Sequence, residues 1–136
     1  MPLFAEAKRT SIFLTSEWIQ TWLDVYGRDF SGHWICWDID GKVVGGCLIL
    51  IRVTRKRIFS LRTIYFNATG DSAERTPLAE FNDVLFIEPY GEKIANDLAE
   101  FLMTQHWDRL SISGYEPGGV LSLLSDALPN SSFQHE

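Results

Sequence analysis

Apolar positions recur at helical spacing over residues 16–26, where Trp18, Ile19, Trp22, Leu23 and Tyr26 share one face. Thr15 or Ser16 is placed to cap this helix, Glu17 sits in its first turn, and Gly27 ends it. The preceding Ser-Ile-Phe-Leu at residues 11–14 reads as a short extended lead-in. The pattern then changes to that of strands. Residues 33–39 and 42–52 form two runs joined by Asp40-Gly41, a type I′ hairpin signal. Residues 43–51 are almost continuously apolar, which predicts a strand buried on both faces. Gly45 and Gly46 interrupt that run and point to a bulge, or to close approach of another backbone or ligand.

A basic turn, Arg52, Arg55, Lys56 and Arg57, leads into a third strand over residues 58–66. Residues 67–79 are polar, contain Gly70 and Pro77, and read as a loop. A fourth strand is expected over residues 80–87. Pro89 suits the first turn of a helix whose stripe is Tyr90, Ile94, Leu98, Phe101 and Leu102. A short strand at residues 110–113 and a last helix at about residues 118–128, stopped by Pro129, complete the order. Consecutive hairpins followed by β-α-β predict an α+β fold, with a mixed, mostly antiparallel sheet flanked by helices.

Composition narrows the picture. The 136 residues contain no linker or repeat and read as one domain spanning residues 1–136. With 46% hydrophobic and 22% charged residues, the chain can bury a core without disulfides or metal. Cys36 and Cys47 form no CxxC pair and are expected to be buried, reduced thiols. A formal net charge of -6 repels nucleic acid and anionic membrane over most of the surface. No apolar segment reaches the roughly 18 residues of a membrane helix, and the start lacks a signal-peptide pattern. The expectation is a cytoplasmic protein with no membrane association.

The hairpin Trp37-Asp38-Ile39-Asp40-Gly41-Lys42-Val43-Val44-Gly45-Gly46 and the element order resemble the GNAT acetyltransferase superfamily. Three segments are more narrowly similar to the amino-terminal half of the tandem FemAB-like and CelD-like acyltransferases: Phe13-Leu14-Thr15-Ser16-Glu17-Trp18, Glu80-Phe81-Asn82-Asp83 and Trp107-Asp108-Arg109-Leu110. The resemblance spans nearly the whole chain, and the order and spacing of the segments carry it. It implies transfer of an acyl or aminoacyl group to an amine or hydroxyl. It also implies an acyl-CoA pyrophosphate held by a glycine-rich turn before the helix that follows the fourth strand. The matching stretch here, Val84-Leu85-Phe86-Ile87-Glu88-Pro89-Tyr90-Gly91-Glu92-Lys93-Ile94-Ala95, keeps only Gly91 of those glycines. Pro89 has no N–H to donate. Glu88 and Glu92 place carboxylates where phosphates would sit, and one like-charge pair at ~4 Å repels by about 4 kcal/mol at an effective dielectric near 20. Lys93 offsets part of that. This chain is therefore expected to bind no acyl-CoA of its own.

Glu80, Asn82, Asp83 and Tyr65 are the candidate acceptor-site residues, and Gly45 and Gly46 the candidate groove. Strand alternation would point Asn82 and Asp83 to opposite faces. Satisfying nearby loop backbone is the competing role for the pair, and a sheet position the competing role for Tyr65. Trp107 reads as a hydrophobic plug. Arg52, Arg55, Lys56 and Arg57 form a candidate patch for an anionic partner, against which stands an ordinary solvated hairpin tip. His33, His106 and His135 have no partners at metal or triad spacing, so no metal site is expected, and no catalytic residue can be named. The expectation is a degenerate acyltransferase-like module that contributes to an acceptor site or docks on a catalytic partner. The alternative is a non-catalytic regulatory protein that occupies a partner's surface or associates with itself. A third reading, in which Gly45-Gly46 and the basic turn hold CoA unconventionally, has the least support.

Overall fold

The computed structural model describes residues 2–67 and 80–128. It has four helices and a five-stranded sheet: α1 (Pro2–Glu6), α2 (Ser16–Tyr26), β1 (Ser31–Ile39), β2 (Lys42–Arg55), β3 (Ser60–Phe66), β4 (Leu85–Phe86), α3 (Gly91–Thr104), β5 (Arg109–Ser111) and α4 (Val120–Ala127). Single 3-10 turns lie at Ile12–Leu14 and Gly27–Asp29. The architecture is α+β, with a mostly antiparallel mixed sheet flanked by helices.

The sheet order is β1-β2-β3-β5, and among the described residues only the β3–β5 pair is parallel. Asp40 and Gly41 both have positive φ, 51° and 78°, as a type I′ turn requires. The expected bulge is present: the register shifts so that Trp37 faces Gly45 while Asp38 faces Val43, leaving Val44 as the extra residue. β4 does not add a new position in the sheet. Phe66 pairs with Ile49, and Leu85 pairs with Gly46, so β3 and β4 run along the same edge of β2 as one interrupted strand.

Alternation along β2 assigns the two faces. Cys47 and Ile49, with Ile64 and Phe66 of β3, pack against Ile94, Leu98 and Leu102 of α3 and Val120, Leu121 and Leu124 of α4. On the opposite face Leu48, Leu50 and Tyr65 pack against Ile19 and Trp22 of α2. The α2 stripe is thus core, as its spacing predicts. Thr15 caps this helix, its Oγ1 accepting from the Trp18 N–H at 3.3 Å. Trp107 is partly buried against the α3–α4 core, and its Nε1–H donates to the Leu102 carbonyl at the end of α3. Asp108 continues the β3–β5 ladder by accepting from the Arg62 N–H through Oδ2 at 2.7 Å.

Three expectations require correction. Residues 11–14 form a turn of helix rather than an extended lead-in, because the Leu14 N–H closes back on the Ser11 carbonyl at 3.1 Å. Cys36 is exposed, while only Cys47 is buried. Strand residues 35 and 36 face opposite sides, and β1 lies at the sheet margin, where its α2 face is incompletely covered. The fourth strand is two residues long instead of eight, because residues 80–84 leave the ladder to make the contacts described next. The loop expected over residues 67–79 lies, apart from Asn67, outside the described residues.

Candidate functional site

The break between β3 and β4 is held by a buried polar knot. Asn67 sits at φ 55°, a conformation that asparagine tolerates better than most residues. Its N–H donates to the Leu48 carbonyl at 2.6 Å, and its Oδ1 accepts from the Leu48 N–H at 3.1 Å. One asparagine thereby supplies both partners that β2 would otherwise take from a neighbouring strand. Its Nδ2 then donates to Asn82 Oδ1 and to the Asp83 carbonyl, each at 2.8 Å. Asn82 Nδ2 donates to the carbonyls of Phe66 and Ser113, and its N–H to the Gly114 carbonyl.

Asp83 is also buried, and its carboxylate starts α4. Oδ1 accepts from the Leu121 N–H at 3.0 Å and from the Val84 N–H at 2.9 Å. The residue at the helix N-cap is Gly119, which has no side chain to do this work. It is glycine for a steric reason, since a methyl there would overlap the Asp83 carboxylate. Burial pushes the Asp83 carboxyl above the ordinary range, opposed by the Leu121 and Val84 N–H groups and by the field of Arg9. Asn82 and Asp83 therefore do not alternate across a strand. Both are committed to backbone partners from four separated parts of the chain, the role that competed with catalysis in the sequence.

Two cavities flank the segment formed by residues 8–14. The smaller, about 650 Å³, is the more polar of the two and is lined by Lys8, Arg9, Ser11, Phe81, Asn82, Asp83 and Glu116 among others. The larger, about 710 Å³, is apolar and lies between the α2 face of the sheet and the N-terminal helices. Leu3, Leu14 and Ile19 line it from the helices, and Trp34, Cys36, Gly46 and Leu85 from the sheet. Gly46 opens it, because any side chain there would project toward Leu3. The Lys42–Glu6 ion pair, at 2.6 Å, stands at its margin.

The two glycines of β2 thus differ in role. Gly46 borders the cavity, whereas Gly45 lies on the other face, where a Cβ would come within 2.5 Å of Ile94 Cδ1. Tyr65 is buried against Phe30, ring centroids 5.6 Å apart, and is not among the residues lining either cavity. Glu80 is exposed. The guanidinium of Arg52 lies over the Phe30 ring at 5.8 Å, while Arg55, Lys56 and Arg57 are exposed at the hairpin tip. His33 and His106 are exposed, and among the described residues no cluster of His, Cys, Asp and Glu could hold a metal ion.

At the start of α3, Glu88 is ion-paired with Lys8, and Lys93 pairs with Asp97 at 2.6 Å rather than with Glu92. Gly91 is packed beneath the Phe86 ring, where a Cβ would lie 2.9 Å from Cε2. The Lys8 N–H also donates to the Phe86 carbonyl at 3.0 Å, fixing the N-terminal segment across this place.

Sequence reasoning missed Asn67, which stands in a polar stretch with nothing to mark it, and of the cavity it named only the groove glycines, of which Gly46 is a lining residue. The further available signal was the alternation that puts Trp34 and Cys36 on the same face as Gly46. No protein-family model, no curated protein and no solved structure matches the chain. No helix among the described residues is long and apolar enough to cross a membrane.

Proposed function

We propose that this chain is an acyltransferase-like module without cofactor chemistry of its own, and that it holds an uncharged, largely apolar group in the cavity beside Gly46. In the acyltransferase setting the group is the apolar part of an acceptor presented to a catalytic partner. The observation that carries the reading is the cavity itself. It is large, apolar and bordered by a strand glycine, while its polar lining residues are paired with one another or with neighbours: Lys42 with Glu6, Ser16 with Glu17, and Asn67 with Leu48 and Asn82. The start of α3 supports the absence of a pyrophosphate cradle, with Pro89 lacking a donor, Glu88 held by Lys8 and Gly91 covered by Phe86.

A second reading, a regulatory protein that docks on a partner or on itself, is favoured by one feature. Among the described residues β1 pairs with β2 alone, and its first seven residues, Ser-Gly-His-Trp-Ile-Cys-Trp, carry no Lys, Arg, Asp or Glu. Such an edge is a template for an added strand.

The test uses N-phenyl-1-naphthylamine, a neutral fluorescent probe, and the rate at which Cys36 reacts with a thiol reagent. Saturable probe binding that slows Cys36 modification is expected. Trp34→Ala, at a position 61% exposed, is expected to weaken it without unfolding the protein, and Gly46→Leu to block it. Absence of both binding and protection ends the cavity reading. Saturable heat on titration with acetyl-CoA ends the claim that the cofactor has been abandoned.

A further inference from the structure

The β2–β3 hairpin extends beyond the rest of the sheet. β1 reaches only as far as Ile51, opposite Ser31, and β5 only as far as Thr63, opposite Arg109. Asp108 still bonds Arg62 on that side, and beyond it the pairs Thr54–Leu61 and Arg55–Ser60 form a two-stranded ribbon. The Lys56 N–H closes it onto the Phe59 carbonyl at 2.8 Å, leaving Arg57 and Ile58 at the apex. Ile58 is 92% exposed and Phe59 59% exposed. Neither residue is explained by the turn. Apex positions favour Gly, Asn, Asp or Ser, and a β-branched aliphatic there gains nothing from local geometry. Neither belongs to a hydrophobic cluster of the described residues.

Charge is distributed to match. Residues 41–70 contain six of the twelve basic residues of the chain and none of its eighteen acids. An acidic body with a basic tip turns that tip toward a negative surface and holds the remainder away. Among the described residues Arg55, Lys56 and Arg57 form no ion pair, so their charge is available at the apex.

We infer that this hairpin tip is a peripheral anchor for an anionic phospholipid bilayer, with Arg55, Lys56 and Arg57 at the headgroups and Ile58 and Phe59 inserted at the acyl boundary. Ile58 decides between anionic partners. An aliphatic side chain makes no hydrogen bond to a base and can enter a duplex only as a wedge, at the cost of unstacking a base step and kinking the helix. A bilayer interface accepts both it and Phe59. The net charge of the chain points away from membranes, and the exposure of these two side chains is what reverses that expectation locally. The inference is independent of the cavity.

Sedimentation of the full chain with large vesicles tests it. Binding is expected with vesicles of phosphatidylcholine and phosphatidylserine, and not with phosphatidylcholine alone. Each basic residue near an anionic surface is worth about fivefold in partitioning, so changing Arg55, Lys56 and Arg57 together to Gln should weaken binding about a hundredfold. Replacing Ile58 and Phe59 by Ser should weaken it at least about tenfold while the thermal midpoint stays in place. No sedimentation with anionic vesicles at millimolar lipid overturns the inference. So does binding unchanged by the Ser replacements, which would reduce the contact to charge alone. Tighter binding to a single-stranded oligonucleotide than to vesicles would assign the tip to nucleic acid instead.

Discussion

Asn67 donates to Asn82 across a gap of fifteen residues, Nδ2 to Oδ1 at 2.8 Å, while its other amide atom accepts from the Leu48 N–H of β2. This pair is the joint at which one strand line stops and resumes as β4. Replacing Asn67 by Ala strands the Leu48 N–H, Asn82 Oδ1 and the Asp83 carbonyl in a buried place. Each unpaired group costs its desolvation, so Asn67→Ala should lower stability by roughly 2–4 kcal/mol. Urea unfolding would measure this; an unchanged midpoint would mean that the knot is not part of the fold's stability.

Asp83 and Gly119 form the second joint. Gly119→Ala drives a methyl into the Asp83 carboxylate and should cost about 2–3 kcal/mol. Asp83→Ala on its own removes the cap of α4. Because the two side chains would compete for the same space, the costs should not add, and at least about 1 kcal/mol of the Gly119→Ala penalty should vanish when Asp83 is already Ala. A double-mutant cycle in urea checks it, with strict additivity as the opposing result.

The carboxyl of Asp83 also sets a pH dependence. Burial raises it above its ordinary value of 3.8, so the folded state binds this proton more tightly than the unfolded state. The associated stability is fully present below that ordinary value and is lost as pH rises through the folded value. Measured against Asp83→Asn, which cannot titrate, the wild type should lose relative stability as pH increases from below 3.8, and then level off. A relative gain over that rise would show that the hydrogen bonds and Arg9 outweigh burial.

Cys36 and Cys47 should behave as two classes of thiol. Burial pushes the Cys47 thiol far up, and its side chain lies in the core between β2 and the helices. Cys36 is exposed on the opposite face. Dithiobis(nitrobenzoic acid) should react with one equivalent promptly and with the second only as the protein unfolds. Two fast equivalents would contradict the burial of Cys47.

The local signals of the sequence translated directly into structure where a pattern repeats within a few residues. The α2 stripe, the Asp40-Gly41 turn, the buried run of β2 and the bulge beside Gly45 were all legible, because periodicity and turn chemistry act between near neighbours. The GNAT likeness, by contrast, rests on those same short segments and stays part of the proposal. What Asn67, Asn82 and Asp83 do depends on Leu48, Ser113, Gly114, Gly119 and Leu121, which approach only when the chain is folded. A polar residue's role is defined by which donors and acceptors meet it, and one-dimensional spacing does not encode that meeting. The same holds for the cavity, which exists only where helix residues Leu3 and Ile19 come to face Trp34, Cys36 and Gly46. The sequence by itself determined α2, the β1–β2 hairpin, β3, α3, β5 and α4 in their order, since these follow from interactions along the chain, but not α1, the turn at residues 11–14 or the shortness of β4. The tertiary structure alone decided which polar groups are satisfied, which apolar surfaces stay open and how far the basic hairpin reaches, since these follow from contacts between distant parts.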